Sequence, residues 1–432
     1  MYLKSFHISG LFGHLNHDVI FKENDVTIII APNGYGKTIC LKVIHSVFNK
    51  RLAFLRNLHF SSVVFFTESG SFSISKKDPS STELVLCVNG SVSDMTISKS
   101  VDSQDKKIML SRLSLYVPFL NRVSTREWED TRHGDLYSFD DAVEVFSEYL
   151  PDQYVSKQLP NWFLDIINSL DVHLVQDQRL IQRNGIGSAR DLNKGFLNTI
   201  TMYAGELAEI IVDSGVEAAK VSQDLDSSFP ARLLRYSQGG ALLSEDQIIY
   251  ELKQLQSIRE GLSSFNLLSS YQSFPDLHAE NMNEEERKVL SLYIGDTKEK
   301  LVAYHNVYTK IALFTKILNT RRLSFKTVKT NSEQGFYFET TDGLVLNSTE
   351  LSSGEQHQVV LLFELIFKTN KNILVLIDEP EISLHIAWQK EFLNDIKAIT
   401  SLQKMPIVIA THSPQIINGN WDLTVNLGGG NQ

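Results

Sequence analysis

The feature that most constrains this chain is a short loop that leaves an apolar strand and enters an amphipathic helix. Val26–Ala31 is a continuous apolar run of the kind that a buried strand shows, and an apolar-periodic helix follows at Thr38–Phe48. Between them lies Ala31-Pro-Asn-Gly-Tyr-Gly-Lys-Thr38. In such a loop the backbone N–H groups and the positive end of the helix dipole point at one place, where phosphate binds. The sequence therefore predicts a phosphate site.

The residues of this loop have distinct expected roles. Gly34 and Gly36 let the backbone approach the phosphates, Lys37 reaches the β and γ phosphates, and the Thr38 hydroxyl binds Mg²⁺. Ala31 stands where such loops usually carry their first glycine, which is a mild departure if the backbone angles suit an L-residue. A plain strand-to-helix turn is the structural alternative, and the Lys-Thr ending disfavours it. The expected nucleotide-binding residues of the loop are Asn33, Gly34, Tyr35, Gly36, Lys37 and Thr38.

A second apolar strand ends in two carboxylates, in the segment Asn372-Ile-Leu-Val-Leu-Ile-Asp378-Glu379. The carboxyl ends of parallel strands form the edge where ligands of open α/β folds bind. We expect Asp378 to hold Mg²⁺ through a water molecule, and Glu379 to orient or deprotonate the attacking water. An acidic pair that only caps the next helix at Pro380 is the alternative.

Three further segments complete the pattern. Leu351-Ser-Ser-Gly-Glu-Gln356 stands directly before an amphipathic helix, which Ser352 can cap. Pro406-Ile-Val-Ile-Ala-Thr-His412 is a strand that ends in histidine, although a lone histidine at a strand end is more often structural. Gln178 follows the apolar strand Val172–Val175, with Gln176 as its rival and an ordinary solvated turn as the alternative to both.

In this order and spacing, the segments resemble the SMC/RecF/OLD family of ABC-type ATPases. The resemblance implies that ATP and Mg²⁺ are the cofactors, that His412 hydrogen-bonds to the γ-phosphate and that Gln178 senses the nucleotide. It also implies a signature that contacts the γ-phosphate held by the other subunit, formed by Ser352, Ser353, Gly354 and Glu355. The segment from Ser383 to His385 resembles the loop that crosses the dimer interface in this family. Ile386 stands where that pattern often has proline, which puts the interface contacts in doubt.

The resemblance implies an α/β fold: an ABC-type P-loop ATPase head with a mixed sheet and an antiparallel lobe, split by a helical insertion. We expect residues 1–180 to form the N-terminal half of the head with the lobe, 181–322 the insertion, and 323–432 the C-terminal half. Ser61–Lys76 and Glu83–Lys99 have the pattern of antiparallel hairpins, with turns at Gly70 and Asn89-Gly90.

Two helices of the insertion can be delimited from the sequence. Ser244-Glu-Asp-Gln247 is a capping box that starts one of them. From about Glu284 to Leu318 apolar residues keep an alternating four and three spacing, with Thr297 and Thr315 as polar exceptions. At a rise of about 1.5 Å per residue this helix reaches roughly 50 Å. It either packs in a bundle or projects as a coiled-coil arm.

Charge and composition limit the classes of partner. The formal net charge is −10 and no Lys/Arg run stands out, so a general contact with DNA is not indicated and any DNA contact is expected to be local or to belong to a partner. Cys40 and Cys87 lie in apolar patterns and are expected to be buried free thiols. The N-terminus lacks the pattern of a signal peptide, and the apolar runs are too short for a membrane span. We therefore expect a cytoplasmic protein without a membrane partner.

The segment after His412 narrows the expected biology. Only twenty residues follow it, so we expect no nuclease domain there. A stand-alone ATPase of this kind resembles the ATPase subunits of two-component antiphage systems such as PARIS and Septu. This implies a slow ATPase, a homo-oligomer from dimer to ring, and a separate effector protein, a nuclease. The alternative is a RecF/SMC-like ATPase of DNA repair or chromosome maintenance; a transporter subunit fits less well because of the long insertion.

Overall fold

The structure is a computed structural model of the 432-residue chain. The residues that it describes are 2–22, 25–89, 91–97, 110, 112–117, 119–124, 127–131, 135–139, 142–143, 146, 159–175, 181–182, 197–236, 242–268, 282–323, 325–371, 373–384 and 386–428. By its internal contacts the chain divides into two compact units, one formed by residues 1–177 with 369–432 and the other by residues 178–368.

The secondary structure alternates between strand-rich and helix-rich stretches. In chain order the strands are β1 (Leu3–Leu11), β2 (Leu15–Ile20), β3 (Val26–Ile30), β4 (Ser62–Thr67), β5 (Gly70–Ser75), β6 (Leu84–Val88), β7 (Ser91–Ile97), β8 (Leu120–Arg122), β9 (Glu127–Asp130), β10 (Asp135–Ser138), β11 (Asp171–Val175), β12 (Ile181–Gln182), β13 (Leu197–Asn198), β14 (Lys326–Asn331), β15 (Gly335–Thr340), β16 (Val345–Leu346), β17 (Ile373–Asp378), β18 (Ile407–Thr411) and β19 (Thr424–Asn426). The α-helices are α1 (Lys37–Phe48), α2 (Ala53–Asn57), α3 (Asn161–Ile167), α4 (Thr199–Tyr236), α5 (Glu245–Ser264), α6 (Glu284–Ile317), α7 (Ser353–Phe363), α8 (Ile386–Gln403) and α9 (Pro414–Ile417).

A parallel sheet forms the centre of the first unit, with strand order β11-β17-β18-β3-β19. Its middle strands are apolar along most of their length because both faces of a parallel sheet are covered. All of Ile407–Thr411 is buried, as is Leu374–Ile377. Helix α1 packs against this sheet. Because the strands are parallel, the carboxyl ends of β3, β17 and β18 lie at one edge.

A six-stranded antiparallel sheet lies in the same unit, with order β2-β1-β4-β5-β6-β7. The predicted hairpins are confirmed: β4 pairs with β5 through a turn at Gly70, and β6 pairs with β7. Gly90 lies outside the described residues. Phe65 stacks on Phe72 with ring centroids 4.8 Å apart, and Phe48 of α1 meets Phe65 edge-on at 5.7 Å. One continuous core therefore joins this sheet to α1.

The second unit combines long helices with a small antiparallel sheet of order β14-β15-β16. Helix α6 packs against both α4 and α5. The predicted capping box of α5 is present between Ser244 and Gln247. The polar exceptions Thr297 and Thr315 are buried in α6, and the Thr315 hydroxyl donates to the carbonyl oxygen of Ile311 at 2.8 Å. None of the helices in the described ranges is both long and apolar enough to cross a membrane.

The predicted segments 1–180, 181–322 and 323–432 stay a prediction, because units defined by contacts do not test them. Within the second unit, residues 323–368 group with the long helices. The reason is close packing between β15 and α4. A methyl group on Gly335, whose φ is +73°, would stand 1.8 Å from the carbonyl oxygen of Ala204. Phe363 at the end of α7 also stacks on Tyr203 of α4, with centroids 4.6 Å apart.

Candidate phosphate-binding site

The loop between β3 and α1 has the backbone geometry that its glycines allow. Gly34 and Gly36 have φ values of +85° and +80°, in the left-handed region that favours glycine. A methyl group on Gly36 would also lie 2.8 Å from Cδ2 of Leu11. Ala31 has no positive φ, so its departure from the usual glycine causes no backbone strain. Asn33 and Tyr35 are exposed at the rim of the loop.

The side chain of Lys37 turns into this loop. Lys37 is 5% exposed, and its Nζ donates to the carbonyl oxygens of Ala31 at 2.9 Å and Pro32 at 3.4 Å. A buried ammonium group is tolerated only with such partners. The loop therefore surrounds a positive charge at the N-terminus of α1, where an anion is further favoured by the helix dipole.

The hydroxyl of Thr38 meets the carboxylate at the end of β17. Thr38 Oγ1 donates to Asp378 Oδ1 at 3.2 Å. Both are oxygen ligands of the kind that Mg²⁺ prefers, so this pair fits the expected metal ion. The structure brings these two predicted residues together at the carboxyl edge of the parallel sheet.

Glu379, the next residue, adopts a left-handed backbone with φ 39° and ψ 57°. Its N–H donates to the carbonyl oxygen of Ala410 in β18 at 2.9 Å, which holds this conformation. A non-glycine residue there costs of order 1–3 kcal/mol, and such strain concentrates at functional sites. His412 follows β18, and its Nδ1 lies 3.7 Å from Oε1 of Glu379. The predicted base and the predicted histidine are thus neighbours.

A third carboxylate, Glu381, lies beside them and is not predicted from the sequence. Its Oε1 accepts from the Thr411 hydroxyl at 2.6 Å and from the N–H of His412 at 3.0 Å. It also lies 3.2 Å from Nδ1 of His412. From the sequence, a charged residue inside a turn is expected to be exposed to solvent. The contacts of Glu381 with Thr411 and His412 are evident only in the folded structure.

A buried histidine beneath the phosphate loop is also missed by sequence reasoning. His17 is 2% exposed, and neither ring nitrogen has a hydrogen-bond partner among the described residues. Burial lowers the pKa of His17. The sequence offers one signal, the pair His14 and His17 on either side of a strand start, but two histidines alone do not indicate a role.

The predicted signature lies in the second unit, at the start of α7. Ser352 is the N-cap of this helix: its Oγ accepts from the N–H of Glu355 at 3.3 Å, and Oε2 of Glu355 accepts from the Ser352 N–H and hydroxyl at 2.9 Å each. Ser353 is the first residue of the helix. A methyl group on Gly354 would meet nothing within 4 Å, so this face of the helix start is open.

A lysine of β14 forms an ion pair with Glu355 of the signature. Lys326 Nζ donates to both carboxylate oxygens of Glu355, at 2.8 and 2.9 Å. The side chains of Lys326 and Glu355 are 23% and 8% exposed. Burial alone would raise the pKa of Glu355, but the hydrogen bonds from Lys326 and Ser352 outweigh it and the pKa is lowered.

Some of the remaining predicted residues belong to the described part of the chain and others do not. Gln178, its rival Gln176 and His385 lie outside the described residues. Of Ser383, only the backbone is described, at the end of a short 3₁₀ turn. Of the two cysteines, Cys40 is buried and Cys87 is half-buried, and both are free thiols. Burial raises the pKa of the Cys40 thiol to about 12.

Comparison with known proteins adds a family assignment. The profile of the AAA_15 family, described as an AAA ATPase domain, matches residues 1–417. No curated protein matches the chain. One similar solved structure is the Smc head domain of Pyrococcus furiosus with an extended coiled coil, bound to the C-terminal domain of ScpA, at 13% identity and a TM-score of 0.37, covering 96% of this chain and 91% of that chain.

A second similar structure is an SmcHead bound to the C-winged helix domain of ScpA, at 11% identity and a TM-score of 0.38, with the same coverage of 96% and 91%. At identities and TM-scores this low, neither likeness adds to what the family match and the geometry support.

Proposed function

This chain belongs to the AAA_15 family of AAA ATPase domains, and on that premise we propose that it binds and hydrolyses ATP with Mg²⁺ in composite sites formed by two copies. The observation that carries the proposal is the hydrogen bond between Thr38 and Asp378, which joins the phosphate loop to the acidic strand end. The family match and the mixed α/β architecture support the finer proposal of an ABC-type ATPase head of the SMC/RecF type with a helical insertion, which the sequence motifs resemble.

Each candidate site residue that lies in the first unit has a role in the proposed hydrolysis. Mg·ATP supplies a γ-phosphoryl group that water attacks in line. Lys37 and the loop N–H groups would hold the phosphates, and Thr38 and Asp378 would hold the metal ion. Glu379 orients and deprotonates the attacking water, and His412 contacts the γ-phosphate from the end of β18. Positioning and charge stabilisation account for most catalysis of this type.

The signature completes the partner's site in this proposal. Ser352 and Gly354 stand at a helix N-terminus, which favours anions, and the face at Gly354 is open. They belong to residues 178–368, whereas the phosphate loop belongs to the other unit. We infer that Ser352, Ser353, Gly354 and Glu355 act on the γ-phosphate bound by a second copy. Two equivalent sites then close by two-fold symmetry.

The biological role that we propose is control of a separate effector, a nuclease, in bacterial antiphage defence. The analogy in architecture between an ATPase head with a helical insertion and the ATPase subunits of two-component antiphage systems supports it. The net charge of −10 supports a protein partner over a coat of DNA. The homo-oligomer is a dimer or a larger ring. A RecF/SMC-like role in DNA repair is the alternative, and it requires a local DNA contact.

Glu379→Gln tests the shared-site mechanism. This variant removes the base and keeps the ligands, so turnover should fall by about 10²–10⁴-fold while ATP affinity is kept. Analytical ultracentrifugation with ATP should then show an accumulated dimer. Ser352→Arg should bind ATP and stay open, whereas Ser401→Arg, on the exposed face of α8, should behave as the parent.

A mixing experiment separates the two halves of each site. Lys37→Ala and Ser352→Arg should each be inactive alone. In a mixed dimer one site combines both intact halves, so turnover should return to about a quarter of the parental rate with random pairing. No recovery, or full turnover by Glu379→Gln, would favour a monomeric P-loop enzyme instead.

The two biological roles differ in their partners. Purification with the products of neighbouring genes, followed by native mass measurement with and without ATP, should give a complex with an effector protein. Hydrolysis stimulated by DNA and lost with rising salt would favour the repair role.

A further inference from the structure

Glu381 is a buried carboxylate that the proposed hydrolysis does not use. It lies on the 3₁₀ turn Pro380–Ser383, directly after Glu379, and its side chain is 6% exposed. One oxygen, Oε1, faces the Thr411 hydroxyl at 2.6 Å, the His412 N–H at 3.0 Å and the His412 Nδ1 at 3.2 Å. Three polar groups of β18 and the residue after it thus converge on a single atom.

The second oxygen of this carboxylate makes the arrangement costly. Oε2 of Glu381 is buried and has no hydrogen-bond partner among the described residues. A buried carboxylate is expensive unless its oxygens are paired, and an unsatisfied one calls for a specific reason. Packing alone does not supply it, because a methyl or methylene group would fill the same space without that cost.

The turn that carries Glu381 is itself fixed. Gln389 of α8 donates through Nε2 to the carbonyl oxygens of Glu381 at 3.3 Å and Leu384 at 3.1 Å. Its Oε1 accepts from the Ser413 hydroxyl at 3.0 Å. The Gln389 side chain therefore links the backbone of this turn to Ser413, the residue after His412. These hydrogen bonds restrain the position of the Glu381 carboxylate.

The imidazole ring of His412 is far more exposed than the carboxylate of Glu381. The His412 side chain is 47% exposed, so little packing restrains the rotation of the ring. In a histidine, a polar or charged partner at one ring nitrogen sets the orientation and the role of the other, and a carboxylate oxygen 3.2 Å from Nδ1 is such a partner. The contact between Nδ1 and Glu381 leaves Nε2 as the ring nitrogen available to a ligand.

We propose that Glu381 is the positioning residue of His412: it holds Nδ1 so that Nε2 is presented to the γ-phosphate. This rests on the proposed ATPase function. Glu381 does not touch the nucleotide, and its contribution passes entirely through the imidazole. Removing it leaves ATP binding intact and lowers only the turnover step.

Variants of Glu381 and His412, with one control, test this role in the full-length protein. Glu381→Ala should lower kcat by about 10–100-fold, the usual cost of losing such a supporting partner, with the ATP dissociation constant within about 2-fold of the parent. Glu381→Gln keeps an oxygen that accepts from Thr411 and the His412 N–H, and should recover most of kcat. In a His412→Ala background, Glu381→Ala should cost less than about 2-fold, because the two residues act as a unit. The control is Glu364→Gln, a buried carboxylate paired with the Tyr203 hydroxyl in the other unit.

A spectroscopic measurement separates this proposal from the function on which it rests. In protein with ¹⁵N-labelled histidine, the ring signals that His412→Ala removes should shift in Glu381→Ala and stay in place in Glu364→Gln. Unmoved signals, or losses in kcat that multiply in the double variant, would overturn the positioning role. If the parent does not hydrolyse ATP, the proposed function fails, but the ring signals still test the contact. Should Glu381→Ala not fold, Thr411→Val, which removes one donor to the same oxygen, should shift the same signals.

Discussion

Thr38 donates a hydrogen bond to Asp378 across 3.2 Å, although 340 positions of the sequence separate them. This contact joins the start of α1 to the end of β17. It shows why a loop near the N-terminus and a strand near the C-terminus belong to one site: both end at the carboxyl edge of the same parallel sheet.

The proposed metal-binding role of Thr38 and Asp378 predicts a graded response at Thr38. Thr38→Ser keeps the hydroxyl and should retain most of the turnover. Thr38→Val keeps the shape and removes the oxygen, so turnover should fall by about 10²-fold and more Mg²⁺ should be needed for half-maximal rate. Steady-state rates over a Mg²⁺ titration measure both effects. Equal Mg²⁺ requirements in the two variants would contradict the assignment.

Lys37 should dominate the affinity for the phosphates. At an effective dielectric constant of about 20, one charge pair at 4 Å is worth about 4 kcal/mol, and desolvation of the ammonium group offsets part of it. We expect Lys37→Ala to weaken ATP binding by about 100-fold or more in a calorimetric titration. Lys42→Ala removes an exposed lysine from the same helix and should change affinity by less than about 2-fold. Unchanged binding by Lys37→Ala would refute the phosphate loop.

Two lysines of β14 allow a matched test of the support behind the signature. Lys326 pairs with the buried Glu355, whereas Lys329 pairs with Glu339 and is 50% exposed. Lys326→Met leaves a buried charge unpaired and should cost about 3 kcal/mol of unfolding free energy. Lys329→Met should cost less than about 1 kcal/mol. Urea denaturation of both variants checks the difference.

The same pair also has a pH signature. Because the pKa of Glu355 is lowered from 4.5 in the folded chain, its stabilisation is present at neutral pH and is lost as the pH falls through the folded pKa. The difference in stability between the parent and Lys326→Met should therefore narrow below about pH 4.5. A constant difference down to pH 3.5 would show that the carboxylate is not involved.

His45 of α1 should make the first unit sensitive to mild acid. Burial, with smaller effects of the charges on Arg51 and His173, lowers the pKa of His45 from 6.5 to about 4. Well above pH 6.5, His45 is neutral in both the folded and the unfolded chain and does not change the pH dependence of stability. Between these values only the unfolded chain binds the proton, so stability falls by at most about 1.4 kcal/mol per pH unit.

Denaturation curves between pH 7.5 and 5 check this expectation. His45→Gln should flatten the loss of stability below pH 6.5, and His305→Gln, at an exposed position of α6, should leave it unchanged. An identical pH dependence in the parent and His45→Gln would mean that other groups control acid unfolding.

Local patterns predicted much of this fold. The buried strand and loop before α1, the hairpins around Gly70 and the capping box at Ser244 depend on neighbours within a few residues, and the structure has all three. The extent of α6 followed from its apolar spacing in the same way.

Contacts between distant segments could not be predicted. Lys326 and Glu355 belong to different elements, and no periodicity in either indicates the other. The carboxylate of Glu381 has a polar role only because the end of β18 lies beside it. The grouping of residues 323–368 with the helices depends on the close approach of Gly335 to Ala204, which a sequence pattern does not contain. Periodicity locates an element, and the partner of its side chains is a property of the assembled fold.

The left-handed backbone of Glu379 means that the residue best for stability at this position differs from the residue that the proposed activity needs. Glycine and asparagine accept this conformation more easily than glutamate, and neither can act as the base. A library of variants selected only for heat resistance should therefore accumulate Gly or Asn at position 379, whereas selection for ATP turnover should restore glutamate. In the proposed mechanism, the strained backbone at position 379 is therefore the loss of stability that accompanies a base at this place.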